Sequence, residues 1–357
     1  MDNFFKDLNV IELAGVLAGP GVGYFFAELG ARVIKIENPA SGGDITRSWK
    51  LKNEPPDDQT SAYFWSVNAF KETLWLDITQ PDQLQQLYEL VKEADVVITN
   101  FKAGDDKKLK VDYETLAHLN SSLIYASISG FGNNSGRMAY DLVLQAESSF
   151  MSMNGDAGGP PLKMPVALID ILAGHQLKEA ILLAMLQKNK TGKGAHVSVS
   201  LFESAVASLA NQATNWLIAG HLPKASGTLH PNIAPYGELF ETRDKHLVTF
   251  AIGSNKQFKQ LCDLLQYNTL AIDSKYSTNQ SRVNNRTQLY AILYPYINKF
   301  DFKVLDTACI ERGIPMGKIR NMKELFELPE ALAMLKEFSS GTKKIKVVSG
   351  NAFKFKS

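Results

Sequence analysis

One carboxylate in this sequence, Asp170, stands where a nucleophile could be built. It follows the apolar run 164–169, which predicts a strand, and it precedes a stretch through residue 187 whose apolar residues have helical spacing. Aspartate at the start of a helix is a preferred N-cap, because its oxygens accept the free N–H groups of the first turn. The same position favours the ionised carboxylate that a nucleophile needs. Cap and nucleophile are therefore both open interpretations of Asp170.

Other common catalytic groups are not supported by the spacing of their residues. The six histidines show no paired metal-ligand spacing, and the sequence has neither a Gly-x-Ser-x-Gly elbow nor a P-loop. His175 and His230 could act as general bases, although His175 falls within the helical stretch, where a structural role is more common. The sequence therefore predicts no bound metal.

Several basic residues lie beside predicted strands. Lys71 precedes one strand, and Lys102, Lys107 and Lys108 follow another. Ligands of open α/β sheets bind beyond the carboxyl ends of the strands, so lysines there could contact the phosphates of an anionic cofactor as point charges. Phe101 could stack on an adenine. The alternative is a set of solvated surface lysines and a core phenylalanine.

The chain alternates between strands and helices up to about residue 220. Strands are expected at 8–13, 32–37, 73–77, 95–101, 122–129 and 196–201, and helices at 24–29, 81–91, 139–153 and 171–187. Such alternation requires parallel pairing through right-handed crossovers. The pattern predicts an α/β fold with a Rossmann-like, doubly wound sheet.

The first glycine turn, 19–23, invites comparison with a dinucleotide site in which Glu37 would bind a ribose. That motif needs glycine where this chain has Tyr24, and Pro20 removes one backbone donor. We therefore expect no NAD or FAD, although the glycines still permit a close approach of backbone to a ligand.

The pattern changes after residue 220. Residues 220–235 are rich in Gly, Pro, Ser and His, and a hairpin is expected around 243–245, followed by helices near 255–267, 283–297 and 301–312. We predict a large Rossmann-like domain at 1–224, completed by 311–357, and a smaller α+β domain at 225–310. The segment 314–346 is expected to return to the large domain as strand, helix and strand.

Composition excludes several classes of partner. The 357 residues are 45% hydrophobic and 21% charged, with a formal net charge of +1, so no general attraction to nucleic acid or an acidic membrane is expected. Cys262 and Cys309 have neither metal nor redox spacing, which is typical of free thiols in a reducing cytoplasm. Neither a signal peptide nor a membrane span is predicted.

A series of motifs in fixed order resembles the class III CoA-transferases, of the CaiB/BaiF type. That family includes formyl-CoA transferase, carnitine CoA-transferases and the α-methylacyl-CoA racemases. The matching segments are Val10-Ile11-Glu12-Leu13, Leu17-Ala18-Gly19-Pro20, 29–37, Gly43-Asp44, Thr99-Asn100-Phe101, Ser129-Gly130-Phe131-Gly132, Tyr140-Asp141, Gln145-Ala146, Thr191-Gly192-Lys193-Gly194, 230–236 and Gly313-Ile314-Pro315. The resemblance covers nearly the whole chain.

The resemblance implies a reaction and a catalytic residue. The family's catalytic aspartate falls on Asp170, which would attack the donor thioester and form a mixed anhydride. CoA thiolate would then leave an aspartyl-CoA thioester, from which an acceptor carboxylate takes the CoA. Acyl-CoA and a carboxylic acid are the implied substrates, with CoA carried as a thioester and no metal or NAD required.

The resemblance also implies a CoA site. Its residues are Val16, Leu17, Ala18, Asn38, Lys71, Asn100, Phe101, Lys108 and Ser129. Compared with formyl-CoA transferase, Leu17 replaces a glutamine, Asn38 an arginine and Ser129 a lysine. The arginine expected after Asn100-Phe101 is matched only by Lys108. A lysine ammonium group acts as a point charge, whereas a guanidinium group presents several N–H donors in one plane.

A racemase and a CoA-binding protein without turnover are the two alternatives to a transferase. The racemases carry a histidine where this chain has Tyr140 and a glutamate where it has Asn255. Racemisation needs two groups that exchange protons near neutral pH, so the resemblance favours a transferase over a racemase or epimerase. A CoA-binding protein without turnover is the other alternative.

The resemblance further implies an interlocked homodimer in which each chain is a ring threaded through the other. The active site would then lie between the large domain of one chain and the small domain of its partner.

Overall fold

A computed structural model describes residues 3–132, 135–341 and 343–355. The chain divides into two compact units. The first unit contains the described residues up to 151, then 163–222 and those from 332 onward. The second contains 152–162 and 223–331.

The strands, in chain order, are β1 Asn9–Leu13, β2 Arg32–Glu37, β3 Glu72–Trp75, β4 Val96–Thr99, β5 Ile124–Ser129, β6 Ala195–Ser200, β7 Tyr236–Glu241, β8 Leu247–Ala251, β9 Met316–Lys318, β10 Leu335–Ser340 and β11 Lys343–Val348. The α-helices are α1 Ala18–Glu28, α2 Ala62–Asn68, α3 Pro81–Lys92, α4 Asp105–Lys108, α5 Tyr113–Leu119, α6 Asp141–Glu147, α7 Phe150–Met153, α8 Leu168–Thr191, α9 Leu201–Ala207, α10 Ala210–Ala219, α11 Asn255–Leu264, α12 Asn268–Ile272, α13 Asn279–Asn284, α14 Arg286–Ile297, α15 Phe302–Arg312, α16 Met322–Leu325 and α17 Pro329–Leu332. Short 3₁₀ turns occupy Pro39–Ser41 and Ile45–Ser48.

The first unit is built on a parallel sheet that, within the described residues, has six strands in the order β3-β2-β1-β4-β5-β6. Strand β4 is buried along its whole length, and its β-branched residues suit a strand covered on both faces. Strand order reverses between β1 and β4, which leaves a crevice at their carboxyl ends. The predicted α/β class with a parallel sheet is confirmed.

Helices cover both faces of this sheet. On one face Val22 and Phe26 of α1 pack with Leu177 of α8 in a single apolar cluster. On the other face Leu87 of α3 and Leu116 of α5 are fully buried. Burial of each such side chain stabilises the fold by about 1.5–3 kcal/mol. The shared apolar cluster therefore stabilises the packing of α1 against α8.

The structure differs from the expectation around Asp170. Residues 164–167 form no strand, and α8 begins at Leu168 with Ala167 at the N-cap position. Asp170 therefore lies inside the first turn of α8 and is not its cap. The physical reason is the surroundings of the segment: Pro165 has no N–H for a ladder, and Met164 N donates to the side chain of Gln145 at 2.8 Å.

The expected helix 139–153 is also interrupted. It forms α6 and α7, which are separated at Ser149, a residue with a φ of 69°. A single continuous helix cannot pass through that left-handed position.

The second unit contains an antiparallel sheet in the order β7-β8-β9. Phe240 and Phe250 of this sheet are buried with Phe258 of α11 and Leu293 of α14. The predicted hairpin around 243–245 is present as β7 and β8.

The expected boundary at residue 310 lies inside the second unit as the structure has it. Strand β9 pairs with β8, with Met316 opposite Phe250, so the segment 311–331 belongs with that sheet. The chain returns to the first unit from residue 332, where β10 and β11 form an antiparallel hairpin. Among the described residues, none of the helices is both long and apolar enough to cross a bilayer.

Candidate active site

A cleft of about 590 Å³ opens in the first unit at the reversal of strand order. The segments that follow β1, β4 and β5 line it, with Gly15 and Val16 on one side and Asn100 and Ser129 on the other. This is the edge where open α/β sheets bind their ligands.

Asn100 ties two of these segments together. Its Nδ2 donates to Gly15 O at 2.8 Å, and its Oδ1 accepts from Gly15 N at 3.0 Å. The next residue, Val16, has a φ of 70°, which is unusual for a β-branched side chain. The side chain that follows β4 therefore fixes the Gly15 end of the turn between β1 and α1.

The structure brings only some of the predicted CoA-binding residues together. Val16, Asn100, Phe101 and Ser129 all line the cleft. The buried Ser129 Oγ has no hydrogen-bond partner among the described residues, so it is available to a ligand.

The remaining predicted contacts lie outside the lining. They are Leu17, Ala18, Asn38, Lys71 and Lys108. Asn38 Oδ1 accepts from Ala40 N at 2.8 Å as the cap of a 3₁₀ turn, and its Nδ2 donates to Asp77.

The cleft has basic residues, but they differ in part from those expected. Lys102 and Lys107 line it, whereas Lys108 pairs with Asp105 at 2.9 Å on α4 and its side chain is 77% exposed. Arg137, which sequence reasoning missed, also lines the cleft. Its guanidinium lies 3.8 Å from the Phe131 ring centre. The glycines around it, at 130, 132 and 136, were the available signal for a ligand loop.

Lys71 is buried inside the protein and does not face the cleft. Its Nζ donates to Glu12 Oε2 at 2.7 Å, to Pro20 O at 2.8 Å and to Asn68 Oδ1 at 3.0 Å. Burial lowers the pKa of Lys71 to about 8, although Glu12 acts in the opposite direction. All three donor positions of the ammonium group are used internally.

Asp170 is 8% exposed, in the first turn of α8. Burial, assisted by the nearby Asp141, raises the pKa of its carboxyl group to about 7. The positive end of the helix acts in the opposite direction and favours the ion. Asp170 is therefore poised between its two protonation states near neutral pH.

Asp141 positions the first turn of α8. Its Oδ1 accepts from Ile169 N at 2.7 Å, and its Oδ2 accepts from Gln145 Nε2 at 2.6 Å. The preceding residue, Tyr140, lines the cleft, whereas Asp141, Ile169 and Asp170 lie outside its lining. In the described part of the chain, the Asp170 carboxylate itself accepts no hydrogen bond.

Two of the three residues at positions that alternative chemistries would use, Glu37 and Asn255, already have hydrogen-bond partners for their side chains, whereas the side chain of the third, Tyr140, has none among the described residues. The Glu37 carboxylate receives Arg47 Nε at 2.6 Å and Nη2 at 2.7 Å, so it is not free for a ribose. Asn255 Oδ1 accepts from Arg282 Nη2 at 3.0 Å. Tyr140 is exposed and lines the cleft.

Known proteins resemble this chain over almost its full length. The model of CoA-transferase family III matches residues 5–357. A succinate–glutarate CoA-transferase from Agrobacterium fabrum is 39% identical over 332 residues, which cover 91% of this chain and 82% of that protein. A succinyl-CoA:glutarate CoA-transferase from Homo sapiens is 36% identical over 92% of this chain and 74% of its own.

A solved structure supports the match to this family. The crystal structure of a CAIB/BAIF family protein from Brucella suis superimposes with a TM-score of 0.85 at 35% identity, covering 99% of this chain and 93% of that one. The protein is thus an enzyme of the CoA-transferase class. The chain belongs to CoA-transferase family III.

Proposed function

We propose that this CoA-transferase moves CoA between an acyl-CoA and a carboxylic acid through a thioester on Asp170. The observation that carries the proposal is the state of that carboxyl group. It is buried, accepts no hydrogen bond from the described residues, and has its pKa raised to about 7 by burial and Asp141. A desolvated carboxylate at a helix N-terminus is a better nucleophile than one in water.

The reaction proceeds by two exchanges of acyl groups. An ionised Asp170 oxygen attacks the thioester carbonyl carbon, the C–S bond breaks, and CoA leaves as thiolate from a mixed anhydride. The thiolate attacks the Asp170 carbonyl carbon and expels the donor as a free carboxylate. The acceptor carboxylate then repeats these steps in reverse order, and the Asp170 carboxylate is regenerated. No net proton or electron is consumed.

The cleft in the first unit is the proposed CoA site. Lys102, Lys107 and Arg137 supply positive charge for phosphates, and Phe101 supplies an aromatic face. Ser129 Oγ supplies a hydrogen-bond donor without a partner of its own. Backbone N–H groups of the glycine-containing turns are the proposed stabilisers of the oxyanions.

Short aliphatic dicarboxylic acids are the proposed substrates. The two relatives at 39% and 36% identity carry succinate or succinyl-CoA, together with glutarate, in their names. Succinyl-CoA as donor and glutarate as acceptor are therefore the first pair to assay.

An interlocked homodimer is the proposed assembly. Helices α8 and α10 carry large apolar side chains that are strongly exposed in the single chain, among them Leu183, Leu217 and Ile218. Exposed apolar residues in this number are typical of a protein interface. Light scattering should give twice the mass of the chain.

Trapping of the Asp170 intermediate tests the proposed function. The protein is incubated with succinyl-CoA and then with hydroxylamine, and peptides are analysed by mass spectrometry. A hydroxamate on Asp170 is expected in the wild-type protein and not in the Asp170→Asn variant. Full glutarate-dependent transfer by Asp170→Asn would contradict the assigned role. CoA binding without any hydroxamate would contradict an acyl intermediate on Asp170.

A further inference from the structure

Four buried charges form a connected network beneath the turn that joins β1 to α1. Lys35 Nζ lies 2.9 Å from Glu12 Oε1 and 3.1 Å from Asp44 Oδ2, and Lys71 Nζ lies 2.7 Å from Glu12 Oε2. All four side chains are almost inaccessible to solvent, and their charges sum to zero.

The network makes direct contacts with the backbone of the turn. Asp44 Oδ2 accepts from Val16 N at 3.1 Å, and Lys35 Nζ donates to Ala14 O at 2.6 Å. On the far side of the turn, Lys71 Nζ donates to Pro20 O at 2.8 Å, in the first turn of α1. Three members of the network thus hold the chain before, within and after the turn.

This arrangement holds a conformation that the local sequence disfavours. Val16 has a φ of 70°, where a β-branched side chain is strained, and the Asp44 carboxylate holds its N–H there. Asp44 is itself fixed, because its own N–H donates to Glu37 Oε2 at 3.0 Å and its Oδ1 accepts from Thr46 N at 3.0 Å.

The charges support this role. Although burial opposes ionisation, Lys35 and the two Thr46 donors hold the pKa of Asp44 below its usual range. Asp44 therefore stays ionised, and an acceptor, near neutral pH. Buried ion pairs add little net stability, because the cost of desolvation offsets their attraction, so the role of this network follows from the backbone groups that it contacts.

We propose that the network of Glu12, Lys35, Asp44 and Lys71 is a positioning device that holds the Gly15–Val16 turn in the shape that lines the cleft, and so sets the affinity for CoA. Lys71, which the sequence suggested as a phosphate contact, acts from beneath the turn and not on the ligand. The affinity half of this inference rests on the proposed function, whereas the conformational half does not.

Amide hydrogen exchange tests the conformational half without any ligand. In the Asp44→Asn variant the negative charge is lost, and an NH₂ group replaces either Oδ2, which faces Val16 N and Lys35, or Oδ1, which accepts from Thr46 N. The first orientation repels the Val16 N–H, and the second leaves it a neutral acceptor that is weaker than the carboxylate. The Val16 amide should exchange about tenfold faster or more, while amides of the central strand β4 keep their protection. Unchanged exchange at Val16 would overturn the proposal whatever the protein binds.

CoA affinity, measured by calorimetry with CoA alone, tests the other half. Asp44→Asn should weaken binding by about tenfold. The loss should be several-fold smaller when it is made in a Val16→Gly background, because glycine adopts a positive φ without strain. A purely structural role would give equal losses in the two backgrounds, and that result would overturn the proposal.

Two further variants complete the design. Asp244→Asn is the matched control: Asp244, in the second unit, accepts from Phe302 N at 2.9 Å and from Thr242 Oγ1 at 2.6 Å, so its loss lowers stability without touching the turn. Lys71→Met gives the same readouts should Asp44→Asn not fold, with a smaller change in the same direction. Wild-type protein that binds no CoA would count against the proposed function and the affinity half, and exchange at Val16 would still decide the conformational half.

Discussion

Burial favours the protonated form of the Asp170 carboxyl group, whereas the proposed function needs the ionised form. Burial and the neighbouring Asp141 raise its pKa to about 7, so at neutral pH only about half of the molecules carry the nucleophilic form. The ionised state is thus destabilised by the protein, which makes it reactive. This cost should be visible in the stability of the folded chain.

Replacing Asp170 with Asn should stabilise the protein in a pH-dependent manner. The carboxyl group has a pKa of about 7 when folded and 3.8 as its ordinary value, so the folded state binds more protons between these limits. The contribution of Asp170 to the stability of the wild type therefore falls as pH rises from about 4 to about 7, by up to about 4 kcal/mol. The advantage of Asp170→Asn in urea unfolding should be small at pH 4 and reach its maximum above pH 7. An advantage that is the same at every pH would contradict the raised pKa.

Asp141 should control the pH at which Asp170 reacts. Its carboxylate raises the pKa of Asp170, while its Oδ1 also accepts from Ile169 N. Asp141→Asn keeps that acceptor and removes the charge. The pH midpoint for hydroxamate formation on Asp170 should therefore move down by up to about one unit. A midpoint that stays in place or rises would show that burial alone sets this pKa.

At the scale of single residues, the sequence shows which side chains could be functional more readily than it shows how buried they are or what they contact. Asp170 is identified by its position at the start of a long helix, and its burial and the proximity of Asp141 follow only from packing. In the sequence Lys71 lies beside a strand, as many surface lysines do. In the structure its side chain is buried in an ion pair with Glu12, which belongs to another strand. Lys107 and Lys108 are adjacent in sequence, and only the orientation of α4 decides that Lys107 lines the cleft.

At the scale of elements, the glycines of α1 differ in how much space is available for a Cβ atom. A Cβ on Gly23 would lie 1.9 Å from Glu12 Oε2, within the buried network, whereas a Cβ on Gly21 would meet Val67 Cγ1 at an ordinary 3.9 Å. Gly23→Ala should therefore cost several kcal/mol, since the side chain that must move is a buried charge. Gly21→Ala should be neutral or stabilise by up to about 1 kcal/mol, because alanine is the better helix former. Chemical unfolding of the pair measures both, and equal effects would contradict the close contact at Gly23.

Strands with β-branched residues and strong alternation were predictable, and the exceptions have identifiable causes. Strand β2 begins and ends at Arg32 and Glu37 as expected, because a tight turn precedes it and a polar loop follows. The apolar run 164–167 has the composition of a strand, but it pairs with no strand in the part of the chain that the structure describes. Pairing is a property of distant residues, so composition alone could not exclude it.

At the scale of the molecule, alternation of elements was sufficient to predict the parallel sheet, and the reversal of its order fixes where the cleft lies. The limits of the two units were harder to predict from the sequence. Strand β9 joins β8 across more than sixty residues of sequence, and no local pattern around 316–318 indicates that choice. The expected end of the small domain at 310 was set by local composition and missed this pairing.

The whole-molecule prediction concerns how the proposed homodimer is held. The chain passes from the first unit to the second and back twice, so both ends of the described chain lie in the first unit. If each chain is threaded through its partner, dissociation requires unfolding, and association should not depend on concentration as it does for an ordinary dimer. Two pools of the protein carrying different tags are mixed and purified on one tag. No exchange is expected over days under native conditions, and mixed dimers are expected after unfolding and joint refolding. Exchange within minutes, or a monomer on dilution, would rule out interlocking while leaving the chemistry of Asp170 untouched.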